Sequence, residues 1–444
     1  MQNCATNNLS GKRVLVVGAG RAGLAAFALL EKLGARAALT DSAWGDSRIA
    51  CVSGFDMLVV SPGVAMDNEL VALAKGAGIS VVSELDLSLG AKPNGFSGRI
   101  LAVTGTNGKS SVVSMISQSL SSMGLNNKIV GNFGVPLSAE ILDLKPDCNI
   151  ILEASSYMLE GSRALKPDIA IITNIAKDHL KRHKTMKNYV SVKAKIFENM
   201  YNGSKAILNY DCKYTPEFAK KIKARVFYFS TKQKVLGAYL KDDGLYLNLN
   251  PYTDSLLVCR LEQLKLKGLH NIENYLASLL ACYFVFNNDY VIEQLAKGLT
   301  SARGLTHRTE LVRAHENVTY INDSKATNVH STISALNSLS EKCVLILGGA
   351  DKGECFKDLF TNPNLAYAVV IGENAGKILS AAKALGFSNI LNVENLEVAI
   401  KGATEFAKQK GIKKVLFSPA SASFDRYKNF EERGEHFKQL VLDL

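Results

Sequence analysis

The chain has 444 residues, 47% hydrophobic and 21% charged, with 34 glycines against 9 prolines. At roughly 100–200 residues per domain, this fits two to four globular domains with buried cores. The net charge of +11 favours anionic ligands. The basic residues are scattered, without Arg/Gly-rich or aromatic-interleaved segments, so anionic small substrates are expected and nucleic acid is not. Apolar runs such as Ile169–Thr173 are too short to cross a bilayer, so no membrane partner is expected.

Eight cysteines, at 4, 51, 148, 212, 259, 282, 343 and 355, form no CxxC pair and suit neither zinc nor a disulfide framework. They read as free thiols. The opening MQNCATNNLSGKR holds no apolar stretch, so no signal peptide is expected and a cytoplasmic location is.

In chain order, the apolar run Val14–Val17 leads through glycines into an amphipathic stretch ending near Leu33. Strands follow at Ala35–Leu39 and Met57–Val60, a strand–helix–strand rhythm that predicts a parallel sheet with crossover helices. The segment Ala91–Gly98, AKPNGFSG, reads as a linker. Strands at Ile100–Val103, Ile150–Leu152 and Ile169–Thr173 open a second segment. An alternating stretch over 226–260 reads as antiparallel strands, and Asn271–Phe284 as a helix. A third segment carries strands at Thr319–Ile321, Val344–Leu347, Ala368–Ile371 and Lys414–Phe417. The expectation is α/β throughout, with three domains in series: 1–95 Rossmann-like, 96–302 a central P-loop domain with a mostly parallel sheet, and 303–444 again Rossmann-like.

Gly18-Ala19-Gly20-Arg21-Ala22-Gly23 matches GxGxxG between a strand and a helix, and Asp41 ends the next strand. Glycines let backbone approach a diphosphate at a helix N-terminus, and Asp41 suits a ribose or a nearby group. The loop alone leaves three readings open: NAD, another nucleotide diphosphate such as a UDP-sugar, or glycine kept for helix–strand packing.

A second loop, Thr104-Gly105-Thr106-Asn107-Gly108-Lys109-Ser110-Ser111, joins a strand to a helix. Val103 replaces the first glycine of the usual GxxxxGK[ST]. Backbone amides there cradle phosphates, Lys109 supplies charge, and the Ser110 hydroxyl suits Mg²⁺. A dehydrogenase has no need of this loop, so it moves the reading toward ATP. Glu153, ending a neighbouring strand, suits the metal. Asp178-His179 suits a metal or substrate, with a helix cap plus surface histidine as the bland alternative. Lys193 and Lys195 sit in a helical pattern, where lysines are usually solvated. Asn322–Asn328, Gly348–Gly353 and Ser418–Asp425 follow strands, where ligand crevices form in parallel sheets, although helix capping explains such residues too.

TGTNGKSS, EASSY, TNIAKDHL, LKGLHNIEN, HRTE, NDSKATN, LGGADKG and SPASASFDRYKNFEERG, in this order from end to end, resemble the Mur ligases of peptidoglycan synthesis. The last motif and NDSKATN are most similar to the D-glutamate-adding members; no DNPR-type motif of the diaminopimelate-adding relatives occurs. The resemblance implies a monomeric cytoplasmic enzyme using ATP and Mg²⁺. Its implied substrates are UDP-N-acetylmuramoyl-L-alanine and D-glutamate, joined through an acyl-phosphate. It assigns Gly18–Gly23, Asp41, Ser61, Pro62, Gly63 and Asn132 to the UDP substrate. Gly105–Ser111, Asn271, Arg308, Asp323 and Lys325 go to ATP. Asp178, His179, Thr327, Lys352, Ser423 and Phe430 go to D-glutamate. Lys109, Glu153, His179 and Lys193 are implied catalytic residues, and Ser110, Glu153, His179 and Lys193, as its carbamate, metal ligands. Ser42-Ala43-Trp44 lacks an arginine expected after Asp41 in some relatives, and Asp178–His183 is more basic than the usual form. The alternatives are another Mur or folylpolyglutamate-type ligase, or an NAD-binding oxidoreductase.

Overall fold

The computed structural model describes residues 9–42, 52–286, 292–339, 341–351 and 353–444. The chain forms two compact units. One runs to Leu264 and adds Glu273–Ala302; the other joins Lys265–Ile272 to Arg303–Leu444.

The first unit holds two sheets among its described residues. The smaller contains β1 (Arg13–Val17), β2 (Arg36–Thr40), β3 (Met57–Val60) and β4 (Ser80–Ser83), all parallel, in the order β2-β1-β3-β4. Alternate residues of a strand face opposite ways. Val14, Val16 and Val59 pack with Ala26, Leu29 and Leu30 of the helix Arg21–Lys32. Leu15, Val17, Leu58 and Val60 pack with Val71 and Ala74 of the helix Glu69–Gly76. Both faces are covered, as a parallel sheet requires.

The larger sheet contains β5 (Ile100–Thr104), β6 (Asn127–Gly131), β7 (Asn149–Glu153), β8 (Ile169–Ile172), β9 (Lys205–Asn209), β10 (Arg225–Ser230), β11 (Gly237–Lys241), β12 (Gly244–Asn248) and β13 (Leu256–Arg260). Their order is β13-β12-β11-β10-β9-β8-β5-β7-β6. The antiparallel expectation for 226–260 holds for β11–β13, but β10 pairs in parallel with both β9 and β11. Alternation reports a two-faced strand, not its pairing direction.

One hydrophobic core runs from the smaller sheet through Leu85, Leu87 and Leu137 to Ile100, Ala102 and Ile150 of the larger. The expected linker is anchored as well. Ser97 and Gly98 donate their N–H groups to Pro146 O at 2.8 and 2.9 Å, and a Cβ on Gly98 would lie 1.9 Å from Cys148 O.

The second unit holds β14 (Glu310–His315), β15 (Val318–Asn322), β16 (Cys343–Gly348), β17 (Leu365–Ile371), β18 (Ile390–Asn392) and β19 (Lys414–Phe417), in the order β14-β15-β19-β16-β17-β18. All pairings are parallel except β14–β15. Leu345, Leu347, Val370 and Leu416 pack on one side with Leu336 and Ile378. Val344, Ile346, Val369 and Phe417 pack on the other with Ile400, Ala403 and Phe437. The helix Leu269–Phe286 contains the expected 271–284 run. Among the described residues, no helix is long and apolar enough to cross a membrane.

Candidate active site

The three glycines of the first loop differ physically. Gly18 has φ +99°, which favours glycine, and a Cβ there would crowd Val64 and Ser61 at 2.7 and 2.9 Å. A Cβ on Gly23 would sit 1.7 Å from Gly18 O, so this glycine lets the helix close onto the loop. Gly20, the N-cap residue of Arg21–Lys32, has φ −68° and open space where a Cβ would point. Packing therefore explains Gly23 but not Gly20. Asp41 follows β2 and accepts the Ala19 N–H at 2.5 Å, fixing the loop from the neighbouring strand end.

This loop forms one wall of a cavity of about 680 Å³. Gly18, Gly20, Arg21, Ala22, Asp41, Ser61, Pro62 and Gly63 line it together with Asn132, Pro136, Tyr157 and Arg182. Arg21 donates to Gly134 O at 2.6 Å, linking the first helix to the segment after β6.

The second loop lies between β5 and the helix Lys109–Ser122. Gly105 (φ +146°) and Gly108 (φ +81°) supply its turns. Thr173 Oγ1 and Asn174 Nδ2 donate to Asn107 O at 2.6 and 3.1 Å, and Asn174 Oδ1 accepts the Asn107 N–H at 2.9 Å. Thr106 Oγ1 lies 3.1 Å from the Tyr189 hydroxyl. Lys109 Nζ donates to Gly105 O and Thr106 O at 3.0 and 2.7 Å, folded back over its own loop.

Ser110 donates to Glu153 Oε2 at 2.6 Å, and Asn132 Nδ2 donates to Glu153 Oε1 at 2.7 Å. Glu153 is buried at the end of β7. Asn132 lines the cavity, so two hydrogen bonds run from the cavity wall through Glu153 to the phosphate-type loop.

Lys193, in the helix Met186–Ala194, is 1% exposed rather than solvated. Its Nζ donates to Gly105 O at 2.7 Å and Thr104 Oγ1 at 3.3 Å. Burial, and then the charge of Lys109, push this amine well below the usual lysine range, against Asp178 and Glu153.

His179 adopts a left-handed φ of +53° at the start of the short helix Leu180–His183, with Asp178 Oδ1 accepting its N–H at 2.8 Å. Its Nδ1 lies 3.3 Å from the Tyr157 hydroxyl and its Nε2 lies 3.5 Å from Asp178 Oδ2. Arg182 pairs with Glu160 at 2.6 Å and donates to Val64 O at 2.8 Å. Sequence reasoning gave no role to Asn174, Tyr157, Tyr189 or Arg182. Asn174, Tyr157 and, in the stretch 189–197, Tyr189 stood inside motifs shared with the family as their only signal.

In the second unit, Asn322 ends β15 and Asp323, Ser324 and Lys325 follow it, while Ser421 and Ser423 follow β19. Asp323 accepts from Ser418 Oγ at 2.7 Å and from the Thr309 N–H at 3.2 Å, and burial pushes its carboxyl up to about 7. Lys325 Nζ lies 3.4 Å from the centre of the Phe430 ring. The Thr327 N–H meets Lys325 O at 2.9 Å, while Asn271 Nδ2 reaches Lys267 O at 2.9 Å. The Arg308 N–H bonds Leu305 O at 3.3 Å. Lys352 lies outside the described residues. Two partners were not foreseen: buried Arg433 donates to Ser324 O and Ala422 O at 2.8 and 3.1 Å, and Asn374 bridges Gly349 and Ser421.

Residues 103–282 match the Mur ligase middle domain, and residues 307–420 the Mur ligase glutamate ligase domain. The UDP-N-acetylmuramoylalanine–D-glutamate ligase of Pelotomaculum thermopropionicum is 37% identical, with 98% of each chain covered. The enzyme of that name from Clostridioides difficile is 34% identical over 98% of this chain and 100% of its own. In fold, the chain is similar to a UDP-N-acetylmuramate–alanine ligase from Thermotoga maritima, with a TM-score of 0.59 and 18% identity; 97% of this chain and 99% of that one are covered. A folylpolyglutamate synthase from Mycobacterium tuberculosis, solved with ADP and AMPPCP, gives 0.60 at 14% identity, covering 78% of this chain and 92% of that one. The chain belongs to the Mur ligase family.

Proposed function

We propose that the chain ligates D-glutamate to UDP-N-acetylmuramoyl-L-alanine at the expense of ATP, in cytoplasmic peptidoglycan precursor synthesis. The observation that carries this is the Asn132–Glu153–Ser110 connection between a nucleotide-sized cavity and a phosphate-type loop. A ligand whose diphosphate rests on Gly18–Gly23 can extend its far end past Asn132 toward the second loop. That suits a substrate carboxylate bound for phosphorylation, and the full-length relatives carry the name of this reaction.

In this reading Asp41 and Ser61–Gly63 complete the UDP cradle, and Asn132 holds the peptide end. The amides of Gly105–Ser111 grip ATP, and Lys109 turns from its loop carbonyls to the phosphate oxygens. The carboxylate attacks the γ-phosphate, ADP leaves, and an acyl-phosphate forms. The amine of D-glutamate attacks the acyl carbon, and phosphate departs. Oriented donors stabilise the charge developing on oxygen. Asn271, Arg308, Asp323 and Lys325 are assigned to ATP. Asp178, His179, Thr327, Lys352, Ser423 and Phe430 are assigned to D-glutamate. Three domains, 1–95, 96–302 and 303–444, divide the work in a monomer.

Magnesium fits the residues present. The Ser110 hydroxyl and Glu153 carboxylate are paired beside the loop, and hard oxygen ligands suit this ion. His179 and a carbamate on Lys193 complete the proposed set. Bound there, the ion neutralises phosphate charge. The amine of Lys193 supports carbamate formation, because only a neutral amine attacks CO₂ and burial favours that form. The new N–C bond forms with loss of one proton and turns a cation into an oxygen ligand.

Phosphate release, measured with UDP-N-acetylmuramoyl-L-alanine, ATP and one amino acid at a time, tests the reading. Release with D-glutamate is expected. Release only with another amino acid would assign a different ligase, and turnover of NAD instead would refute the reading.

A further inference from the structure

Two buried carboxylates project from the helix Glu84–Gly90, and they are held differently. Asp86 has both oxygens occupied: Oδ1 accepts from Ser162 Oγ and the Ala164 N–H, at 2.6 and 3.1 Å, and Oδ2 accepts the Arg163 N–H at 2.7 Å. This is how a purely structural carboxylate is satisfied. Glu84 is 1% exposed, and Oε1 takes every bond. It accepts from Ser138 Oγ at 2.6 Å, the Ser138 N–H at 3.3 Å and Ser88 Oγ at 3.3 Å.

Oε2 of Glu84 has no donor among the described residues. It is not sealed in either, because the sealed, unpartnered side-chain atoms among those residues are Ser119 Oγ, Asn248 Oδ1 and Ser255 Oγ. Glu84 lines the 680 Å³ cavity. Of the two Glu84 oxygens, Oε2 is therefore the one left available to the cavity that the side chain lines.

We propose that Glu84 is a substrate-binding residue whose Oε2 accepts a hydrogen bond from an uncharged donor, a hydroxyl or amide N–H, on the sugar–peptide half of the ligand. The proposal rests on the UDP-substrate reading of this cavity. The two halves of such a ligand have opposite needs. Its diphosphate offers no donors and suits the glycine loop and helix N-terminus. Its sugar and peptide carry the donors that a carboxylate can accept. Burial raises the carboxyl above the usual range, while the bonds from Ser138 and Ser88 lower it. A donor from the ligand acts in the same direction as those bonds and favours the accepting form.

Glu84→Gln separates the contact from a packing role. The Ser138 N–H must still be accepted, so the amide oxygen takes the place of Oε1 and the NH₂ group faces the cavity, where it repels a donor. Calorimetry with UDP alone and with UDP-N-acetylmuramoyl-L-alanine reads the result. The variant is expected to bind UDP as wild type does and the full substrate roughly tenfold more weakly or worse, the loss of a hydrogen bond to a charged group. Unchanged binding of the full substrate overturns the proposal. Equal loss of both ligands, or a variant that melts far lower and binds neither, overturns it in favour of a structural carboxylate. Wild-type protein that binds neither ligand would instead refute the reading of the cavity, and the proposal with it.

Discussion

Gly20→Ala tests the difference between a glycine kept for packing and one kept for a ligand. At φ −68° and ψ 177°, alanine is at ease, and nothing lies within 4 Å of the added Cβ. Loss of unfolded-state freedom should stabilise the fold by about 0.4–1 kcal/mol. The same methyl stands over the N-terminus of Arg21–Lys32, where a diphosphate approaches the backbone in the proposed reading. Displacing the ligand there by about 1 Å should cost on the order of 100-fold in kcat/KM. Gly23→Ala is the counterpart, because its Cβ would fall 1.7 Å from Gly18 O and the helix must move. It should lower the melting temperature and weaken substrate binding together. Thermal melts and titration with the UDP substrate read both effects. A Gly20→Ala protein that binds UDP-N-acetylmuramoyl-L-alanine as wild type does would refute the diphosphate reading of this loop.

Lys109→Ala should stop phosphate release while leaving affinity for the UDP substrate intact; joint loss would break the assignment of separate cradles. Lys193→Ala should lose activity that added short carboxylates partly restore, and full activity without rescue would rule out the carbamate. Asp323 bears on pH. Its folded-state pKa, about 7, exceeds the unfolded value, so its contribution is present at low pH and lost as pH rises through 7. Asp323→Asn should therefore gain melting temperature over wild type as pH goes from 5 to 8. An identical pH trend in both proteins would show that this carboxyl is not the group responsible.

The sequence carried the strand ends and their loops well, because hydrophobic runs and glycines mark strand–turn–helix units directly. Its limits lie where meaning depends on contacts. GxGxxG could not tell which glycines packing requires; the closed contact at Gly23 and the open space at Gly20 separate the two. Helix spacing alone left Lys193 without a role, which only the family resemblance supplied, since spacing cannot show that Thr104 and Gly105 cover its amine. Nothing in SELDLS distinguishes Glu84 from Asp86. Only the contacts show that Ser162–Ala164 occupy both oxygens of Asp86 while Ser138 and Ser88 occupy one oxygen of Glu84. Alternation over 226–260 found the strands and missed the direction of β10, which side-chain periodicity does not encode.

The central claim is that a carboxylate in the first cavity is phosphorylated at the second loop before D-glutamate attacks. Substrate labelled with ¹⁸O in the carboxylate of UDP-N-acetylmuramoyl-L-alanine tests it most directly. Label is expected in the released phosphate, with D-glutamate in the amide product. Ligation with the released phosphate unlabelled would rule out the acyl-phosphate route, and no ligation of D-glutamate would rule out the proposed activity.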